Sequence, residues 1–540
     1  MASTQLSGEG SLAAGDTALR NAAWNEARVL FEEAAREGDQ PEAWEGLSRA
    51  AWWLGDQDAT LAARERAYRA YREAGDARGA AGMAMWLASD HLDFRGDDAV
   101  ASAWLQRGRA LLSDHEPCSE LGYILLLEAD LALLARSDPT TAERIALEAL
   151  ELARGIEDAG VEVVALALLG SALVASGAVE EGLQRLEECA AMAVGEDFAE
   201  TAAPGWALCH TVSAVAGVGD FARAEQWCRA LHTWSAVWQA RHFFGVCRTA
   251  YGDVLATGGD WPSAEQELLS ALDDLRTTRP ALAAPAAIRL GRLRVRQGDL
   301  VEARSLFEAA LPLPQAIVAL GELDLAGGDA TGAADAADRV LRRLGEASTL
   351  DRFPALELLA RARAVAGDRD GADATTTELE HEAGRLATPY MRGRARLVRA
   401  RVLSAADDHD GARQAAEDAA DLFAGCSAPY EAADARLLLS SVLEALGRPE
   451  RAEAEASAAR AAFELLNAGP RDQQRAKEEL TPREADILRL VAEGLGDARV
   501  AERLFLSPHT VHRHIANIRT KLDVPSRAAA VAYATREGLL

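Results

Sequence analysis

The sequence predicts an all-α chain: a solenoid of helical hairpins over residues 1–466, a linker at 467–479, and a four-helix module over 480–540. Two observations carry that expectation. Between residues 15 and 463 a Gly-Asp or similar break recurs, followed by small and apolar residues at helical spacing, with a period of about 39 residues. From residue 480 onward the pattern changes to proline-led helix starts and a near-balanced charge.

The repeats justify the solenoid. Copies run from Ala27/Phe31/Ala34 through Ala101/Leu105/Gly108, Gly182/Leu186/Cys189, Ala264/Leu268/Ala271 and Ala303/Phe307/Ala310 to Ala452/Ala456/Ala459, with a degenerate copy beginning at Thr60. Gly55, Gly96, Gly219, Gly259, Gly298, Gly328, Gly367 and Gly447 stand where a helix must end and the chain reverse. The small residues that follow let paired helices approach closely. Each hairpin has an apolar face it cannot bury alone, so it must stack on its neighbours. The frequent breaks exclude a coiled coil. Asn467 to Pro470, followed by the polar run Arg471 to Glu479, has the composition of an interdomain linker.

The C-terminal module starts at Thr481-Pro482, where threonine can cap and proline suits a first helical position. Glu484 can close a capping box, Ile487, Leu488, Leu490 and Val491 form an apolar face, and Gly494 offers a stop. A second helix fits Asp497 to Leu504. A third starts at Ser507-Pro508 and runs to about Leu522, and Ser526 caps a fourth that ends at Gly538.

In the third helix Val511, Ile515, Ile518 and Leu522 form one buried stripe. The other side presents His509, His512, Arg513 and Ala516, with Arg519, Thr520 and Lys521 beyond them, and no carboxylate lies between Pro508 and Leu522. A basic helix with short side chains and one central arginine suits a major groove, where arginine can pair bidentately with guanine. The short second helix, tight turn and basic third helix follow the order of a helix-turn-helix.

Leu480-Thr481-Pro482-Arg483-Glu484, Gly494-Leu495, Ala501-Glu502-Arg503-Leu504, Ser507-Pro508, Thr510-Val511, His514, Asn517-Ile518, Lys521-Leu522 and Arg527 closely resemble the LuxR-type (FixJ/NarL-like) helix-turn-helix. The resemblance implies base reading by His512, Arg513 and Ala516. It also implies phosphate contacts near Thr510, His514 and Lys521, with Ser507, His509, Asn517 and Arg519 completing the candidate DNA-binding set, and a dimer contact on the fourth helix. Two positions depart from the family: Asp497-Ala498-Arg499 replaces the usual Asn-Lys-Glu, and His512 replaces a lysine. Both imply weaker or more pH-dependent binding. The hairpin array resembles tetratricopeptide repeats with lengthened helices, of the kind fused to LuxR-type tails. That likeness implies an architecture that binds peptides, proteins or small effectors.

Composition narrows the function. The net charge is −28, but the module counts nine Arg/Lys against seven Asp/Glu, so the rest carries −30 and only the tail is suited to phosphates. Fifty-five arginines against two lysines, Lys477 and Lys521, point to a GC-rich, actinobacterial genome. Neither lysine follows a glycine, so the P-loop of MalT-type members, and with it their ATPase, is lacking. No nucleophile–base constellation or cofactor motif appears, and no catalytic residue is expected. The N-terminus shows no secretory signal. The longest apolar run, Val163 to Val179, is short of the roughly 20 residues of a membrane span and reads as a buried helix. Six cysteines without CxxC spacing suit reduced thiols in a cytoplasm. Cys228 and His232 at i and i+4 lack a second pair with zinc spacing, so no metal is expected.

One region is uneven. Trp206, His210, Trp227, Trp234, Trp238 and His242 concentrate aromatic and imidazole groups in one or two repeats, either as a candidate effector pocket or as bulky core where repeats pack irregularly. The expectation is a cytoplasmic, dimeric regulator that binds double-stranded DNA through its tail and a protein or small-molecule effector through its array. The alternative is a repeat scaffold for protein partners whose tail no longer binds DNA productively.

Overall fold

The computed structural model describes residues 8–195, 198, 202–238, 241–469, 482–492, 495–504, 510, 511, 514, 515, 518, 519 and 526–536. These residues are helical with no strand among them, and twelve antiparallel hairpins run from Gly8 to Leu465.

The Gly-Asp breaks work as a pair. Gly55, Gly259, Gly298, Gly328 and Gly367 all take a positive φ, which ends the preceding helix. The aspartate that follows then caps the next helix. Asp56 accepts from the Ala59 amide at 3.1 Å, Asp299 from Glu302 at 2.9 Å and Asp368 from Gly371 at 3.0 Å. Gly177 does the same and cuts the apolar run Val163–Val179, so that the helix is Ala159–Ser176 and Val179 opens the next one. By length and composition Ala159–Ser176 could cross a membrane, but 83% of it is buried inside the array.

The repeating small and apolar positions lie on the second helix of each hairpin and are buried: Ala27, Phe31 and Ala34 are 0%, 1% and 3% exposed. The degenerate copy at Thr60 has a structural reason. Its second position, four residues on and apolar or small in the other copies, is Arg64, which is 2% exposed and pairs with fully buried Asp90 at 3.1 Å.

First helices of successive hairpins touch one another along most of the array, whereas second helices rarely do. The arc is therefore tighter on the first-helix side, and those helices line its concave face. The curl is tight enough for the array to meet itself about five hairpins on. Gln57 donates to the Thr277 and Thr278 carbonyls at 3.0 and 3.1 Å. Arg279 pairs with Asp93 and lies 4.5 Å over the Trp52 ring. Further along, Thr349 donates to the Ser176 carbonyl at 3.3 Å, and Thr388 to the Val218 carbonyl at 2.6 Å. At the start of the expected linker, Gly469 donates its amide to the Arg296 carbonyl at 3.1 Å. Most of that linker lies outside the described residues.

Candidate DNA interface

In the C-terminal module helices cover Pro482–Ala492, Asp497–Leu504 and Arg527–Arg536, and Thr510, Val511, His514, Ile515, Ile518 and Arg519 are helical between them. One core joins them. Ile487, Leu488 and Val491 from the first, Val500 and Ala501 from the second, and Ala530 and Ala534 from the last pack with Val511, Ile515 and Ile518. Val511 and Ile518 are both fully buried and Ile515 is 9% exposed, so the stripe is the buried side of the third helix. Leu522 lies outside the described residues.

Polar contacts hold the helices at their angles. The Arg483 guanidinium donates to the Leu504 carbonyl at 2.6 Å, closing the end of the second helix against the first. Arg527 reaches back thirty residues to Asp497 at 2.5 Å and to the Leu495 carbonyl at 2.5 Å. This cross-tie links the last helix to the start of the second. Asp497 thus has a structural partner in the position where the family pattern has asparagine. Nothing local in the sequence signals the pairing. Ser526 accepts from the Ala529 amide at 3.1 Å, capping the last helix.

Of the candidate DNA-binding residues, Thr510 and His514 are half-buried, one turn apart, and flank the buried stripe, while Arg519 is exposed. Ser507, His509, His512, Arg513, Ala516, Asn517 and Lys521 lie outside the described residues. Arg499 and Arg503 on the second helix are exposed as well.

His210 is buried with its Nε2 3.0 Å from Asp130 Oδ1, and Trp206 packs on its ring at 6.5 Å between centroids. Trp206 and Trp227 pack half-buried against a core that contains Cys209, Cys228 and Cys247. Burial pushes the Cys228 thiol up to about 12, which keeps it protonated and unreactive. The side chains of Trp234, Trp238 and His242 lie outside those described.

Comparison with known proteins supports the geometry of the tail. Residues 478–534 match the family described as GerE, bacterial regulatory proteins, luxR family. Rv0890c of Mycobacterium tuberculosis, classed as an HTH-type transcriptional regulator, is 49% identical over 59 residues, 11% of this chain and 7% of that protein. The transcriptional regulatory protein LiaR of Bacillus subtilis is 48% identical over 63 residues, 12% of this chain and 30% of that one. The chain therefore spans less than a third of the length of these relatives. A Rap protein solved in complex with competence and sporulation factor aligns with 72% of this chain and 98% of its own, at 13% identity and a TM-score of 0.41. The C-terminal segment is a LuxR-type helix-turn-helix domain, carried behind a tetratricopeptide-like array of helical hairpins.

Proposed function

We propose that the chain is a DNA-binding transcriptional regulator that works as a cytoplasmic homodimer, with the acidic array as its effector- or protein-sensing module. The observation that carries this reading is the third helix of the tail. Its apolar side is buried in the module core, and by helical spacing alone the opposite side carries His509, His512, Arg513 and Ala516 with no carboxylate. Arg513 is the one arginine on that side, and a bidentate guanine contact is worth about 1–3 kcal/mol. Arg513→Ala should lower specific binding by about ten- to a hundredfold and leave non-specific binding nearly unchanged. Lys521→Ala should weaken all sequences alike and flatten the salt dependence. Electrophoretic mobility shifts with operator and random DNA read both, and a uniform loss with Arg513→Ala removes the base-reading assignment. The second reading, a scaffold whose tail no longer binds DNA, draws on Ala498 and His512, where the family's basic residues are replaced. It predicts no salt-dependent DNA shift at all.

A further inference from the structure

The first helices of the last six hairpins close into a ring. Arg296 on Ala283–Gln297 pairs with Glu431 on Pro429–Ala445, four hairpins on, and Gly259 lies against Pro429. Charges recur on these helices at helical spacing. Arg289, Arg292 and Arg296 stand at i, i+3 and i+7, and Glu357 and Arg361 at i and i+4.

Most of these charges are neutralised by a neighbour. Arg289 pairs with Asp253 at 2.7 Å, Arg401 with Asp434 at 2.6 Å, and Arg394 with Glu357. Arg292 and Arg361 are different. Both are half-buried, and among the described residues neither has a carboxylate within 4.0 Å or a hydrogen-bond acceptor. Burial, then the guanidiniums of Arg289 and Arg401 respectively, hold both below the ordinary arginine value. Burial alone would lower Arg394 too, but Glu357 holds it above its usual value. Glu322 attracts Arg292, Arg361 and Arg394 together, from beyond ion-pair distance of any of them.

The guanidinium nitrogens of both still reach solvent, and with no carboxylate at ion-pair distance among the described residues they are open to an anion from outside. We propose that Arg292 and Arg361 form a binding site for a small carboxylate- or phosphate-bearing effector inside this ring, with Glu322 accepting a hydrogen bond from a hydroxyl or amino group on the same ligand. A bare anion without a donor faces repulsion from Glu322, so the site prefers hydrogen phosphate or a hydroxycarboxylate over sulfate. This deepens the reading of the array as effector-sensing and rests on it.

Calorimetry on the full chain without DNA tests the site, using inorganic phosphate, glycolate and sulfate at matched ionic strength. Saturable binding of phosphate or glycolate, with sulfate weaker, is expected, and whichever binds names the anion class. Arg292→Gln and Arg361→Gln should each weaken binding about tenfold. Glu322→Gln should narrow the gap to sulfate. In sodium chloride alone the two arginine variants should melt at or above the wild-type temperature, because like-charge repulsion is relieved. No saturable binding by any probe overturns the proposal. So do variants that bind like wild type, or arginine variants that melt lower without anion, as a structural pair would. DNA binding is read separately, so a tail that fails to bind DNA leaves this result untouched.

Discussion

Gly182→Ala probes how tightly the hairpins are packed. The helices Ala159–Ser176 and Val179–Gly195 meet at Gly170 and Gly182. A Cβ on Gly182 would stand 2.7 Å from the Gly170 carbonyl oxygen, 2.8 Å from Val174 Cγ2 and 2.9 Å from the Val174 amide nitrogen. Two of these neighbours are backbone atoms of a hydrogen-bonded helix and cannot swing away. The helices must separate by several tenths of an ångström, which loosens Leu186 and Cys189, 1% and 0% exposed on the same face. Alanine over glycine gains about 1 kcal/mol in helix propensity. An extra methyl in a filled core costs about 1–3 kcal/mol, and the backbone clash places this one toward the upper end. The net expectation is a destabilisation of about 1–2 kcal/mol. Gly384→Ala is the control. Gly384 is exposed in the helix Arg369–Leu386 with nothing within 4 Å of its would-be Cβ, so only the propensity gain applies. Urea midpoints compare the two, and hydrogen exchange over residues 159–195 localises the effect, because a repeat array can open in parts. If Gly182→Ala raises the midpoint alongside Gly384→Ala, the close-packing argument is refuted.

Three further outcomes follow from the charges. Burial pushes the Asp90 carboxyl up to about 7, so the folded chain keeps a proton that the unfolded chain releases from about pH 4. Stability from this group is therefore present at low pH and lost as pH rises to about 7. The melting temperature of wild type should fall relative to Asp90→Asn across that window and run parallel above it; parallel curves throughout would remove the assignment. Arg527→Ala should destabilise the tail by about 1 kcal/mol, since it breaks the ties to Asp497 and the Leu495 carbonyl in a partly exposed setting. Arg527→Lys should recover the ion pair but not the second bond, and hydrogen exchange over residues 482–536 unchanged by Arg527→Ala would contradict the cross-tie. With His509, His512 and His514 clustered in one basic stretch of the sequence, DNA affinity should rise as pH falls from 8 to 6, through the ordinary histidine range near about 6.5. Fluorescence anisotropy at fixed ionic strength measures it, and a flat profile would mean that the imidazoles stay neutral or packed in the complex.

The sequence alone determined the helical class, the repeat and the DNA-binding module, because each depends on short-range pattern. A glycine that must take positive φ, an aspartate one residue later that caps, and apolar residues at i, i+4 and i+7 are all written within a few turns of helix. The buried stripe Val511–Ile515–Ile518 was legible for the same reason. Where the pattern weakened at Thr60, only the structure showed that Arg64 occupies a core position against Asp90, since ion pairing between hairpins has no spacing rule. Tertiary structure alone decided the curl of the array, which brings Gln57 to Thr278, Ser176 to Thr349 and Arg296 to Glu431. It also decided that His210 pairs with Asp130, and that among the described residues Arg292 and Arg361 have no carboxylate at ion-pair distance while every other arginine named on the ring has one. Small rotations at each hairpin sum over four or five repeats into those contacts, and no local window of sequence carries that sum.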